Sequence, residues 1–249
     1  MEFVQDMFLK YQVIALPGQV LTTGQFAEFA YSFGDPYIYP FAEPIKGFPG
    51  VMRIAKEADT ELNFGGVWHI DTPYLEYPPI ATFAYAIDIP VPLGDTLFSN
   101  LYAAYEDLSA DLKQSLRHAR GDYVSAAVMN GGVDVKLSDL VRVYDAPAAK
   151  VQSFHPLFRT HPLTGRKALF VSRYHMQGIK GMNHEEAGRL LDQLAEHACS
   201  EQFTSRLSWS NGLVVVWDNR CVQHKAMNDY KGHRREIHRT MVCDHQKPS

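Results

Sequence analysis

A chain of 249 residues, 46% of them apolar and 21% charged, has the composition of a folded globular protein and is long enough for one large domain with a substantial core. Its formal net charge of −4 offers no basic field for nucleic acid, so a small-molecule partner is the default expectation. The longest strongly apolar run, GLVVVW at 212–217, is far too short to span a bilayer, so no membrane partner is expected.

No internal repeat or Ser/Gly-rich linker divides the chain, and residues 1–249 read as a single domain. The N-terminal stretch MEFVQDMFLKYQVIALPG carries Glu2 and Asp6 and no basic region ahead of an apolar run. It does not read as a secretory signal, which points to the cytoplasm. LTTGQFAEFAYSFG predicts a helix capped by Thr22 or Thr23, with Phe26, Phe29, Ala30 and Phe33 on one stripe and Gly34 at its end. VWHID at 67–71 is strand-like, followed by strands at ATFAYAIDI (81–89) and DTLFS (95–99). SADLKQSLRHARG predicts a second helix with Ser109 as cap and Leu112 and Leu116 inward. After a strand at KALFVS (167–172), NHEEAGRLLDQLAEHA predicts a third helix, where Asn183 and Glu186 resemble a capping box and Leu190, Leu191 and Leu194 form the buried stripe. RLSWS (206–210), LVVVW (213–217) and EIHRTMV (236–242) complete the strands. Many short strands with about three helices predict a mainly β fold, a sandwich or barrel with peripheral helices. Cys199, Cys221 and Cys243 are widely spaced and form no C-x-x-C pair, which suits reduced thiols. His155 and His161 flank prolines and read as loop residues.

The chemistry concentrates in two segments. On an extended VWHID, His69 and Asp71 share one face while Ile70 takes the other. Such a pair suits a structural hydrogen bond, a proton-transfer couple or two ligands of a metal. His224, in WDNRCVQHKAMNDYKGHRREIHRTMV, follows an apolar strand far along the chain. Two imidazoles and a carboxylate on one face of a metal is the arrangement that suits non-haem iron(II) and leaves positions for a cosubstrate and dioxygen. On the strand that follows, Arg235, Ile237, Arg239 and Met241 share a face, with Arg234, Glu236 and His238 opposite. A buried guanidinium needs an anion, and no acidic residue on that face supplies one. Arg235 and Arg239 lie about 13 Å apart on an extended strand, far enough to serve two different anions.

These residues resemble the taurine dioxygenase (TauD/TfdA) family of iron(II)- and 2-oxoglutarate-dependent oxygenases. The likeness runs from about Phe33 onward, through WHID, PLGDTLFSNLYAAYEDLS, HPLFRTHPLTGRKALFVS and WDNRCVQH followed by RREIHR. The resemblance implies a double-stranded β-helix, or jelly roll, and iron ligation by His69, Asp71 and His224. It also implies that Thr96 and Arg235 hold the distal carboxylate of 2-oxoglutarate beside Trp217, and that Arg239 binds the anionic group of the primary substrate. The charges agree: iron(II), one carboxylate and 2-oxoglutarate together carry one negative charge, which Arg235 neutralises, and Arg239 would offset a substrate anion. The implied reaction consumes O2 and 2-oxoglutarate, releases succinate and carbon dioxide, and hydroxylates a substrate C–H. Asp71 favours hydroxylation over halogenation; desaturation or ring closure uses the same oxidant.

The substrate pocket departs from taurine dioxygenase itself. Tyr39 stands where that enzyme has a histidine, Ala42 for a tyrosine, Gly65 for an asparagine, Tyr74 for a phenylalanine and His175 for an apolar aromatic. A different small anionic substrate is expected: a carboxylate, amino acid derivative, sulfonate or sulfate ester. The chain also begins late relative to the family, which would leave one sheet edge differently covered. A non-catalytic binder on the same fold and a zinc hydrolase using the same ligands are the competing readings. Whether the chain forms a homo-oligomer is left open.

Overall fold

Alternation in ATFAYAID decides the larger sheet. In the computed structural model, which describes residues 1–39, 44–61, 63–125 and 151–249, this segment is β5 (Ala81–Asp88) and lies at the sheet centre. Ala81, Phe83 and Tyr85 face one side, and Ala84 and Ala86 the other. The sheet has seven strands in the order β1 (Val13–Leu16), β13 (Val214–Asp218), β5, β15 (Arg235–Cys243), β4 (Phe48–Lys56) and β3 (Pro44–Ile45), with β2 (Asp35–Tyr37) also paired to β15. Every pairing in it is antiparallel.

The outer face of this sheet is covered by α1 (Glu2–Tyr11) and α2 (Thr23–Tyr31), whose Phe8, Phe26 and Ala30 pack with Phe83, Val214, Val216 and Val242. A full capping box forms at α2, where Gln25 N–H donates to Thr22 Oγ1 at 3.2 Å and Thr22 N–H donates to Gln25 Oε1 at 2.9 Å.

The inner face looks onto smaller antiparallel sheets: β12 (Thr204–Leu207), β6 (Thr96–Asn100) and β14 (Val222–Ala226); β11 (Met176–Ile179), β7 (Arg120–Val124) and β8 (Gln152–Pro156); and the pair β10 (Lys167–Leu169) with β9 (Phe158–Thr160). Between the layers lies the main core, which includes Ile70, Phe98, Leu157, Phe170, Val215 and Ile237. This is the predicted jelly-roll arrangement with helices outside. The longest helix among the described residues, α5 (His184–Ala198), is capped by Asn183, whose side chain accepts from the N–H groups of Glu185 and Glu186, and it buries Ala187, Leu191 and Leu194; Leu190 is only half-buried. α4 (Ala110–Leu116) begins at Ser109 as expected.

Several expectations need correction. VWHID is not a strand: His69 makes one isolated bridge to His224, with Gly65 and Gly66 before it and Thr72 at φ 45° after it. KALFVS pairs only over Lys167–Leu169, after which Phe170 N–H turns to the Leu157 carbonyl. α1 and α3 (Leu101–Asp107) are further helices that the pattern did not reveal. His155 lies within β8, and it and His161 are both buried.

Phe83 has no exposed surface and meets the rings of Phe29 and Phe33. Phe83→Ala should therefore cost about 3–5 kcal/mol in urea unfolding, whereas loss of the exposed cap in Asn183→Ala should cost about 1 kcal/mol. Equal costs would contradict this picture of the sheet's outer face.

Candidate active site

His69, Asp71 and His224 come together. One ligand atom from each lies within 4.8 Å of the others, and all three residues are buried. The bridge supplies the alignment: His69 N–H donates to the His224 carbonyl at 3.0 Å and His224 N–H to the His69 carbonyl at 2.9 Å. Their rings stand 4.3 Å apart between centroids. Gly65, at φ 76°, permits this placement, since a Cβ there would sit 3.2 Å from His69 Cε1.

Each side chain is oriented for ligation. His69 Nδ1–H donates to the Val67 carbonyl at 2.7 Å, which leaves Nε2 with its lone pair, 3.4 Å from Asp71 Oδ1. His224 Nε2 is 4.0 Å from the same oxygen. Burial, reinforced by His69, pushes the His224 imidazole well down, into its neutral ligand form. Thr82 Oγ1–H donates to Asp71 Oδ2 at 2.6 Å, and Asn219 Nδ2–H donates in turn to Thr82 Oγ1 at 2.9 Å. The carboxylate is thereby fixed by one oxygen and presents the other. Burial alone would raise its carboxyl, but Arg239, His224 and His69 outweigh burial and hold it well below the usual carboxylate range. Two imidazoles and one oriented carboxylate oxygen fit a divalent transition metal with open positions.

The guanidinium of Arg239 meets Asp71 Oδ1 directly. No acidic residue shares its strand face, as expected, but the loop carrying Asp71 delivers one from elsewhere. Arg239 Nε has no partner, and Phe64 and Trp217 flank the group with ring centroids 5.5 and 5.6 Å from Cζ.

Two cavities meet here, because Phe64, Gly65 and Arg239 line both. The smaller, about 50 Å³, is walled by Thr96, Trp217, His224 and Arg235. Trp209 Nε1–H donates to Thr96 Oγ1 at 2.9 Å, and the Trp217 ring lies 4.7 Å from that of His224. Arg235 sits between Trp209 and Tyr230, at 5.6 and 5.7 Å from their centroids, with Nε unpartnered; burial pushes its guanidinium down and Tyr230 opposes the shift. A Cβ at Gly94, φ 78°, would come within 3.0 Å of that Nε. Lys56, buried and directly across from Arg235, adds a second cation at this end, its Nζ 4.6 Å from the Tyr230 centroid. The larger cavity, about 300 Å³, is walled by His69, Asp71, Tyr39, Tyr74, His175 and Arg239 among others. Burial, with His69 nearby, pushes the His175 imidazole down to about 3. Ala42 lies outside the described residues.

Sequence reasoning missed Thr82, Asn219, Trp209 and Lys56. Thr82 carried a signal, since it is the one hydroxyl on the inward face of β5, beside Ala84 and Ala86. A second buried cluster, His161, Asp218 and Cys221, could also hold a metal by distance. Its carboxylate is already engaged by Arg220, at 2.8 and 2.6 Å, and by His161 at 3.0 Å, which makes it a structural ion-pair network.

The family described as taurine catabolism dioxygenase TauD, TfdA matches residues 1–241. An alpha-ketoglutarate-dependent 2,4-dichlorophenoxyacetate dioxygenase of Burkholderia sp. (strain RASC) is 32% identical over 244 residues, covering 91% of this chain and 80% of the relative. An alpha-ketoglutarate-dependent sulfate ester dioxygenase of Pseudomonas putida is 28% identical over 97% of this chain and 80% of its own. The crystal structure of a taurine dioxygenase from Burkholderia xenovorans superposes with a TM-score of 0.81 at 30% identity, covering 97% of this chain and 80% of that one. Among the described residues no helix is long and apolar enough to cross a membrane. The chain belongs to the TauD/TfdA family and is an iron(II)- and 2-oxoglutarate-dependent dioxygenase.

Proposed function

We propose that the protein, working as one domain, hydroxylates a C–H bond of a small anionic metabolite, with the metal at the boundary of two cavities that receive cosubstrate and substrate separately. The observation that carries this reading is the position of the three donors: His224 lines the smaller cavity, and His69 and Asp71 line the larger. Bound at these donors, iron(II) supplies the redox chemistry in which O2, 2-oxoglutarate and R–H become succinate, carbon dioxide and R–OH.

The chain's own residues do the positioning. Arg235 and Thr96 hold the distal carboxylate, with Trp209 orienting the Thr96 hydroxyl and Lys56 adding positive potential. Trp217 packs between His224 and Arg239, keeping water from the inner wall. Arg239 touches Asp71 through one arm of its fork, and its remaining N–H groups can hold the substrate anion. Relatives named for sulfate esters and phenoxyacetates support an anionic substrate of this general size. Three free cysteines support a reducing compartment such as the cytoplasm.

Asp71→Ala should abolish succinate formation that depends on both O2 and 2-oxoglutarate, and retained turnover would reject the ligand assignment. Thr82→Val, which frees the far oxygen of Asp71 while leaving the donors, should lower metal affinity by roughly 10–100-fold in competition with a chelator; wild-type affinity would show that the Thr82 contact is incidental. Arg235→Gln should raise the 2-oxoglutarate requirement by about tenfold or more, and Arg239→Gln should do the same for the primary substrate. Steady-state titration of each component distinguishes them, and an effect of both changes on 2-oxoglutarate alone contradicts the two-anion reading.

A further inference from the structure

We propose that Phe64 is a specificity-determining residue for the keto acid: its ring is the partition between the two cavities and excludes a cosubstrate one methylene longer than 2-oxoglutarate. The inference rests on reading the smaller cavity as the cosubstrate site.

Among the described residues, Phe64, Gly65 and Arg239 alone line both cavities. Gly65 has no side chain, and Arg239 is held by Asp71. The wall shared by the two spaces is therefore closed by the ring of Phe64, whose centroid lies 5.5 Å from Arg239 Cζ. The residue is half-buried, and it rests against Met52 of β4 and Met241 of β15. Packing on the two methionines does not require a phenyl ring, because Tyr37, Tyr39 and Ile54 also cover them.

Phe64 is pinned by its neighbours in sequence. Asn63 Nδ2–H donates to the carbonyls of Ala226 and Met227, at 3.2 Å each, and Ala226 N–H donates to the Gly65 carbonyl at 2.9 Å. Both flanks of Phe64 are thus bonded to the end of β14, the strand that carries His224. The ring keeps its place relative to the donors, as a wall must if it is to measure a ligand's length.

A keto acid held by the metal donors at one end and by Arg235 at the other can take up an extra methylene only by bowing sideways. Toward the strands the smaller cavity is closed by Ala84, Thr96 and Ile237, whose backbones are fixed in sheet ladders. Toward the larger cavity it is closed by Phe64. With a volume of only about 50 Å³, the space leaves a longer chain to collide with that ring.

The test is calorimetric titration, under argon, of the iron(II)-loaded protein with 2-oxoglutarate and with 2-oxoadipate, which is longer by one methylene. Wild-type protein should bind 2-oxoglutarate about tenfold tighter or more. Phe64→Ala should tighten 2-oxoadipate by about tenfold while changing 2-oxoglutarate by less than about threefold, whereas a merely structural role predicts that both acids weaken together. Phe64→Leu should shift the preference in the same direction by a smaller factor, and Phe64→Tyr should retain it. Wild-type protein that binds the two acids equally overturns the proposal, and so does a preference unchanged in Phe64→Ala. Should Phe64→Ala weaken both acids, Phe64→Leu decides, and an unchanged preference there overturns the proposal as well. Arg235→Gln should weaken both acids; if it weakens neither, the reading of the smaller cavity fails, and the proposal falls with it.

Discussion

A carboxylate that is 3% exposed stays ionised only beside positive charge, and Asp71 meets that condition through its neighbours rather than through water. Around it the chain has assembled Thr82 from β5, Arg239 from β15 and the imidazoles of His69 and His224. Each contact ties a different element to one oxygen pair. The fold is therefore organised around a group that would destabilise it if left alone, and the same arrangement presents an oxygen and two ring nitrogens to a divalent cation.

The scaffold's contribution is phase. A strand exposes every second residue to one side, so β15 places Arg235, Ile237, Arg239 and Met241 toward the interior. On its other face Arg234 bonds Asp88 at 2.6 Å and Glu236 accepts from Arg53 at 2.7 Å, an ion-pair surface that satisfies its own charges. The two inward guanidiniums have no such neighbours on their own face. Arg235 lies against the rings of Trp209 and Tyr230, with Asp229 and Asp95 acting on it more weakly than the Tyr230 phenol, and Arg239 reaches the Asp71 carboxylate. A one-residue shift in the pairing of β15 would exchange the two faces and withdraw both guanidiniums from the interior together.

Much of this was legible in the order of residues, because strand phase is a local property. The inward arginines and the helix caps at Thr22, Ser109 and Asn183 follow from patterns a few residues long, whereas Thr96 and Trp217 were singled out only by the resemblance to a family. The ligand set needed more: His224 joins His69 and Asp71 only through a bridge formed by folding, and the resemblance to a family supplied what spacing could not. VWHID misled because an apolar alternating run reads as a strand, yet the flanking glycines and Thr72 bend it into a loop that touches β14 at a single residue pair. Thr82, Asn219 and the Arg239 contact to Asp71 were hidden for the same reason, since each is a long-range contact between side chains whose local sequence is unremarkable. His155 and His161 look like loop residues beside proline, but they are buried through bonds to the Leu75 carbonyl and to Asp218.

The claim beneath all of this is that His69, Asp71 and His224 hold iron(II) while leaving adjacent positions for a bidentate keto acid. Anaerobic addition of iron(II) and then 2-oxoglutarate, followed by absorption spectroscopy, tests it most directly. The account predicts a visible metal-to-ligand charge-transfer band that requires both additions and disappears in His224→Ala. Protein that binds both components without developing the band, or that develops it equally in His224→Ala, would contradict the account.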